Sequence, residues 1–428
     1  MDDKMDVIIV GGGVAGTVAA YLLAKEGLEV LLIERGNFSG AKNVTGGRIY
    51  SHSLEKIFPN FTQEAPVERK VTKERISMMT KDSTVTLDFQ SDRLGMAGKD
   101  SYVVLRSVFD RWLADKAEEA GAMIVSGIRV DDLLVENGKV CGVIAGEDTM
   151  KANVVILADG VNSLLAEKIG LKKRVQPSQV AVGVKEIIEL PQSVIEDRFN
   201  LNEGEGCAWL FAGEASNGLT GGGFIYTNKD SISLGIVCGL GHIGHSDKTL
   251  VQMLDDFKEH LTIRPLIKGG KLVEYSGHLV PEAGLSMIPE LYRDGVVVVG
   301  DAAGLVINIG YMVRGMDLAI ASAECAAKAI IAAKEKNDFS ANALSQYKKN
   351  LDNSFVMKDL SFFQKFPKFM ENPRIFNEYP NMLADLMTDM FVIDGEPPVP
   401  LMKKAMKHVK KVGIMNLAKD GLKGVKAL

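Results

Sequence analysis

The sequence predicts an α/β protein with a second, antiparallel sheet inserted into the first and a helical C-terminal region. Three observations predict it. Residues 6–36, DVIIVGGGVAGTVAAYLLAKEGLEVLLIERG, read as strand, glycine turn, helix and strand in immediate succession. Two further apolar strands, at 153–157 and 296–299, each run into a turn carrying an aspartate, Ala158-Asp159-Gly160 and Gly300-Asp301. Around them, residues 66–104 and 180–290 alternate in the manner of strands, and the chain beyond 336 is helical.

The first unit carries the most chemistry. Gly11, Gly13 and Gly16 stand in G-x-G-x-x-G spacing directly after the strand Asp6–Val10. The first glycine permits a sharp turn, the second admits a pyrophosphate with no Cβ in the way, and the third lets the helix pack on the strand. The helix from Val14 to Lys25 points free N–H groups and a positive dipole end at the phosphates. Glu34 ends the second strand and is placed to accept from a ribose hydroxyl, while repelling a 2′-phosphate. The pattern fits NAD and FAD alike.

The totals narrow the class. The chain has 428 residues, 46% of them hydrophobic and 25% charged, enough for two or three structural units and a large core. A net charge of −5 argues against nucleic acid as a partner. The acidic start MDDKMD leads straight into a strand and is not a signal peptide, and no apolar run is long enough to span a bilayer. These features place the protein in the cytoplasm. Cys141, Cys207, Cys238 and Cys325 lie far apart, with no zinc or iron–sulfur spacing, and read as ordinary buried thiols. The histidines form no metal pattern; His242 and His245 fall in a glycine-rich loop and read as solvated.

In chain order, RGNFSGAKNVTGGRIY (35–50) reads as a loop running along the dinucleotide, with Lys42, Asn43, Thr45 and Arg48 as polar contacts; a solvated surface loop is the plain alternative. Phe109, Trp112, Leu113 and Ala117 form the buried stripe of a helix that Arg106 just precedes. Arg106 is positioned for a phosphate or a ring edge. Strands are predicted at 123–129, 132–136 and 140–145. Asp159, at a strand end beside Gly160, suits a hydroxyl of the dinucleotide. After Asp301 a glycine-rich entry leads into a long Ala-rich helix, whose start can face a ring oxygen that gains negative charge. The last 95 or so residues read as helical and peripheral. Their final stretch, 401–428, carries eight lysines against the single acid Asp420, and reads as a basic amphipathic tail for a membrane surface or a partner.

The three nucleotide motifs in this order resemble the glutathione-reductase-type FAD-binding, Rossmann-like fold of the aromatic hydroxylase and geranylgeranyl reductase group. ERGNFSGAKNVTGGR, GVKEIIELP, GGGFIYTNKDSISLGIVCGL, GGKLVEYSGHLVPEAG and ENPRIFNEYP look like segments of the electron-transfer-flavoprotein:quinone oxidoreductases, and most of all their FixC branch, over essentially the whole chain. The resemblance implies FAD-binding parts at 1–65, 105–179 and 291–335, a substrate or quinone sheet at 66–104 and 180–290, and a helical C-terminal region at 336–428. It implies non-covalent FAD, with the pyrophosphate at Gly11, Gly13 and Gly16, the adenine ribose at Glu34, and the ribityl chain at Asp301. Further cofactor contacts are implied at Val14, Ala15, Arg35, Lys42, Asn43, Thr45, Gly46, Gly47, Arg48, Arg106 and Val130, then at Asp159, Gly160, Gly300, Asn308 and Gly310.

The long quinone oxidoreductases end in a domain whose cysteines hold a [4Fe–4S] cluster, and this chain lacks them. The FixC-like reading supplies that cluster from a separate ferredoxin-like partner (FixX-like). It supplies electrons from electron-transfer flavoprotein subunits (FixA/FixB-like), and makes the chain an FAD-dependent oxidoreductase that passes them to a membrane quinone within an electron-bifurcating FixABCX complex. It would sit peripherally on the cytoplasmic membrane. Alternatives are a geranylgeranyl-reductase-like prenyl saturase, an FAD aromatic hydroxylase, and a subunit that holds FAD only to assemble a complex. No catalytic residue is legible; Tyr226, Tyr275 and His278 are proton-donor candidates only by lying in the second sheet, and each reads more readily as structural.

Overall fold

The computed structural model describes residues 4–43, 46–244 and 246–428. Thr45 and His245 lie outside the described residues. The first sheet has a parallel core in the order Val296–Val298, Asp148–Leu157, Lys4–Val10, Val30–Glu34, Met123–Ser126. An antiparallel ribbon, Asp132–Glu136 with Lys139–Ala145, extends from the strand Asp148–Leu157. The helix Val14–Lys25 covers one face, pressing Val18, Ala19 and Leu23 onto a core in which Val7, Ile8 and Ile9 have no solvent exposure. Fully buried strands of this kind read as continuous apolar runs, which is why they stand out in the sequence.

Among the described residues the second sheet has nine strands. It draws on Gly46–Tyr50, Val67–Met79, Thr84–Gln90 and Ser101–Leu105, then on four strands between Val180 and Gly239, and ends on the edge strand Lys271–Pro281. Every pairing is antiparallel except one: Glu205–Gly213 runs parallel to Val67–Met79. A parallel neighbour needs a long crossover, and here the crossover includes much of the first sheet.

Two expectations change here. Residues 35–50 are not one loop. Gly46–Tyr50 is a strand paired with Ser101–Leu105, and Gly46 sits so close to Val104 and Ser233 that a Cβ would fall 2.8 Å from each. The C-terminal region is not all peripheral. The helix Ala341–Asn353 buries Leu344, Tyr347 and Leu351 completely, and the Tyr347 hydroxyl donates to the carbonyl of Val298 in the first sheet at 2.8 Å. Arg106 is the first residue of its helix, Arg106–Glu119, whose Phe109, Leu113 and Ala117 are buried while Trp112 packs on Phe58.

The basic tail forms the helices Leu401–Val412 and Ile414–Ala427. His408 and Lys407 meet Asp389 at 2.7 and 3.1 Å, and Lys411 meets Asp385 at 3.1 Å, both acids lying on the helix Glu378–Phe391. The buried Asp420 accepts from Arg374 Nε at 2.7 Å and Nη2 at 3.0 Å, and from the Tyr379 hydroxyl. Those donors hold its carboxyl well below the usual carboxylate range. Its stabilising contribution is therefore complete above a pH of about 4, the unfolded value, and is lost only as pH falls toward the lower folded value. Asp420→Asn should loosen the tail at pH 7, seen as faster tryptic cleavage within 401–428 and unchanged cleavage of the sheets. Equal cleavage of variant and parent would assign the anchoring to other contacts.

Candidate functional site

All the parallel strands of the first sheet end along one edge, where a cavity of about 1180 Å³ opens between the two sheets. Ligands of open α/β sheets lie at such carboxyl ends. The volume exceeds the ~300–1,000 Å³ of common ligand clefts.

The glycine turn shapes one end of it. A Cβ on Gly11, which has φ +106°, would lie 2.4 Å from the Ala158 carbonyl oxygen. One on Gly16 would lie 2.0 Å from the Gly11 carbonyl oxygen. Gly13 differs: its nearest neighbour would be Arg106 Nη2 at 3.7 Å, and it faces the cavity. Arg106 is fixed by a bidentate pair with the fully buried Asp110, Nε and Nη2 each 2.6 Å from a carboxylate oxygen. Asp110 neutralises the arginine and aims it. Glu34 is held by the N–H groups of Gly12, at 2.7 Å, and Gly36. Next along the edge, Asp159 accepts from Ser163 at 3.0 Å. Among the described residues the Asp301 carboxyl has no hydrogen-bonding partner; burial pushes it up, opposed by Arg106 and Lys172. Burial likewise pushes up Asp159, opposed by Ser163 and Lys172.

Most of the sequence-predicted contacts come together in this wall: Gly11, Gly13, Val14, Ala15, Glu34, Arg35, Lys42, Asn43, Gly46, Gly47, Arg48, Arg106, Val130, Asp159, Gly160, Asp301, Asn308 and Gly310. Two do not. Gly16 serves only the close approach of helix to turn, and Gly300 is buried against Ala15, its N–H donating to Ser322 Oγ at 3.0 Å. Arg48 reaches the wall from a strand, not a loop, tied to Ser101 at 2.8 Å and to Glu74 at 2.5 Å. The glycine-rich entry after Asp301 holds a small hairpin of Ile307–Asn308 and Val313–Arg314. The Ala-rich helix starts beyond it at Met316, with Gly315 as its N-cap at the cavity.

Two of the proton-donor candidates, Tyr226 and His278, line the cavity from the second sheet. Lys185 and Phe224, which the sequence reading missed, line it too, as does His242, which is half-buried there. Burial and Arg106 lower Lys185 to about 8, and burial with Lys185 lowers His278 to about 4. His278 is thus neutral near pH 7. Burial raises Tyr226 well above the ordinary phenol value. Tyr275 is half exposed and outside the wall. A lysine inside the apolar run GVKEIIE is the one signal that could have flagged this face. Among the described residues no group of His, Cys, Asp and Glu side chains could hold a metal.

Residues 4–200 match the FAD binding domain family, and residues 366–428 match the ETF-QO/FixC family C-terminal domain. A protein of Escherichia coli K12 called probable electron transfer flavoprotein-quinone oxidoreductase YdiS is 58% identical, covering all of both chains. Protein FixC of Salmonella typhi is 56% identical, again over the whole of each. This chain belongs to the FixC and electron-transfer-flavoprotein:quinone oxidoreductase family. It is an FAD-dependent oxidoreductase. Among solved structures, a geranylgeranyl bacteriochlorophyll reductase-like protein of Thermoplasma acidophilum superposes with a TM-score of 0.70, covering 96% of this chain and 99% of that one. At 23% identity that likeness speaks for the fold alone.

The cavity of this FixC-family chain fits FAD. The space at Gly13 is the room a pyrophosphate needs, Arg106 stands beside it, and Asp301 offers a carboxylate without a partner to a chain of hydroxyls. The two glycines nearby predict different failures. Gly13→Val should fold but purify without FAD, since its side chain takes the pyrophosphate's space. Gly16→Val should lower the thermal midpoint of the FAD-free protein, since a backbone carbonyl must move. A yellow, fully loaded Gly13→Val protein would remove the pyrophosphate from this turn.

Proposed function

We propose that the chain takes electrons from an electron-transfer flavoprotein and delivers them to a quinone at a membrane face, working with FixA/FixB-like and FixX-like partners in a bifurcating complex. The observation that carries this reading is the end-to-end likeness to YdiS and FixC, joined to a cavity with room beyond the nucleotide cradle. That extra room lies between the second sheet and the short helix Phe366–Met370, with Val237, Val280, Pro367 and Met370 in its walls. Apolar walls of this kind suit a flat, greasy ring.

Bound FAD supplies the chemistry of accepting and releasing an electron pair. The chain binds, orients and excludes water. Arg106 and the glycine turn hold the phosphate end, Asp301 the hydroxyl chain, and the Gly315 N-cap presents free N–H groups to the ring end. Implied contacts at Lys42, Asn43, Val130 and Asn308 remain part of this proposal. Further support for a peripheral membrane position comes from the C-terminal helices. Met402, Met415 and Val425 are each more than two thirds exposed, among the tail lysines. No helix among the described residues is long and apolar enough to cross a membrane.

Two measurements test the reading. In anaerobic mixing of the FAD-loaded chain, NADH alone should leave the flavin band unchanged, NADH with an electron-transfer flavoprotein should bleach it, and a soluble quinone should restore it. Rapid bleaching by NAD(P)H alone would move the chain to hydroxylase-like chemistry. Removal of 401–428 should reduce recovery on anionic liposomes by several-fold at low salt; undiminished binding would return the tail to a docking or structural role.

A further inference from the structure

One carboxyl in the cavity wall is not among the implied cofactor contacts. Glu282 follows the edge strand Lys271–Pro281, and its backbone N–H donates to the Gln179 carbonyl at 2.9 Å. Among the described residues its side chain has one partner. Asn308 Nδ2 donates to both Oε1 and Oε2, each at 3.3 Å. Asn308 is itself oriented, because its Oδ1 accepts from the Gly310 N–H at 3.0 Å and so turns its NH2 group toward Glu282. Asn308 sits on the hairpin whose second strand runs into Gly315, at the head of the long helix. On the opposite side Met370 and Phe366 close over Gly310, within 4 Å of where its Cβ would be. Glu282 thus stands where the redox-ring end of the cavity meets the apolar chamber.

Among the described residues no charge is paired with it. The titratable groups on the surrounding elements are His278 on its own strand, Lys185 on the strand paired with it, Arg314 on the hairpin, and Lys368 and Glu371 at the Phe366 helix. Arg314 is committed to Asp317 and Asp359, and none of the five bonds to Glu282. Burial, opposed only by Asn308, pushes its carboxyl up to about 7. Near neutral pH it therefore exists in both forms, which is the property a proton donor and acceptor needs. An amide N–H can bond either form, leaving the acid O–H free to point into the lumen.

We propose that Glu282 is the proton-delivering residue of the cavity, giving its proton to a quinone oxygen as that oxygen gains electrons. This rests on the quinone reading above. A quinone becomes a quinol by taking two electrons and two protons. The electron pair and one proton are what reduced FAD supplies. For the second proton, the Glu282 O–H bond breaks and a quinol O–H bond forms. The carboxylate left behind is steadied by Asn308 until water returns the proton.

The test uses the full FAD-loaded chain, photoreduced without oxygen, and two oxidants: a soluble short-chain quinone, and ferricenium, which takes electrons but no proton. Glu282→Gln keeps the size and the Asn308 contact. It should slow oxidation by quinone about 10²-fold and leave oxidation by ferricenium unaffected. The parent rate with quinone should fall as pH rises above about 7, because the protonated acid is lost, and the variant's should not. Independently of turnover, the infrared band of a protonated carboxyl should titrate away across neutral pH in the oxidised parent and be missing in Glu282→Gln. Equal quinone rates in parent and variant, or an equal loss with both oxidants, would overturn the relay. If the parent itself is oxidised by ferricenium but not by quinone, the quinone reading falls and the relay with it.

Discussion

The absence of two Cβ atoms holds the site together. Gly16 rides on the carbonyl of Gly11, and Gly11 on the carbonyl of Ala158, each nearer than any side chain allows. The first contact ties helix to turn, and the second ties turn to the end of the neighbouring strand. Because Asp159 directly follows Ala158, the same contacts set the distance between the glycine turn and the aspartates farther along the edge. Gly13, between them, stays clear and faces the cavity. A close-packed turn is thus what leaves a vacancy of the right shape beside Arg106.

Charge placement follows the same economy of partners. Arg106 is neutralised from behind by Asp110, and Glu34 is pinned by two backbone N–H groups, so each presents a fixed face to the cavity. Asp301 has no hydrogen bond of its own, and burial disfavours its charge. An acceptor left this way is costly where it is screened from water, a cost that the hydroxyls of a cofactor held as proposed above would relieve. Lys185 and His278 show the same logic with the opposite sign, since burial lowers both.

The first unit was legible because its requirements are local. A strand, three glycines at fixed spacing, a helix and a closing acid all fall within 31 consecutive residues, from 6 to 36, and the helix Val14–Lys25 has the bounds its pattern predicts. Asp159 and Asp301 were legible for a similar reason, each marking the end of an apolar strand. What the sequence concealed depends on distant partners. Gly46–Tyr50 carries turn-forming residues, yet it becomes a strand because Ser101–Leu105 lies alongside it. Tyr347 looks like part of an outlying helix until its hydroxyl is seen on Val298. Glu282 is one acid beside a proline; only Asn308, 26 residues later, and the apolar wall around it set it apart.

The interleaving of the two sheets bears on how the chain is made. The strand Val67–Met79 must wait for Glu205–Gly213 to emerge before it gains its parallel neighbour, and Asp148–Leu157 must wait for Val296–Val298. Neither sheet can therefore close during the first half of translation, and strand edges stay open while the rest is synthesised. Such non-local pairing slows folding and exposes the nascent chain to misassembly. The cavity wall gains Asp301 only at residue 301 of 428, so FAD held as proposed above would act as a late clamp on a chain that has already found its register.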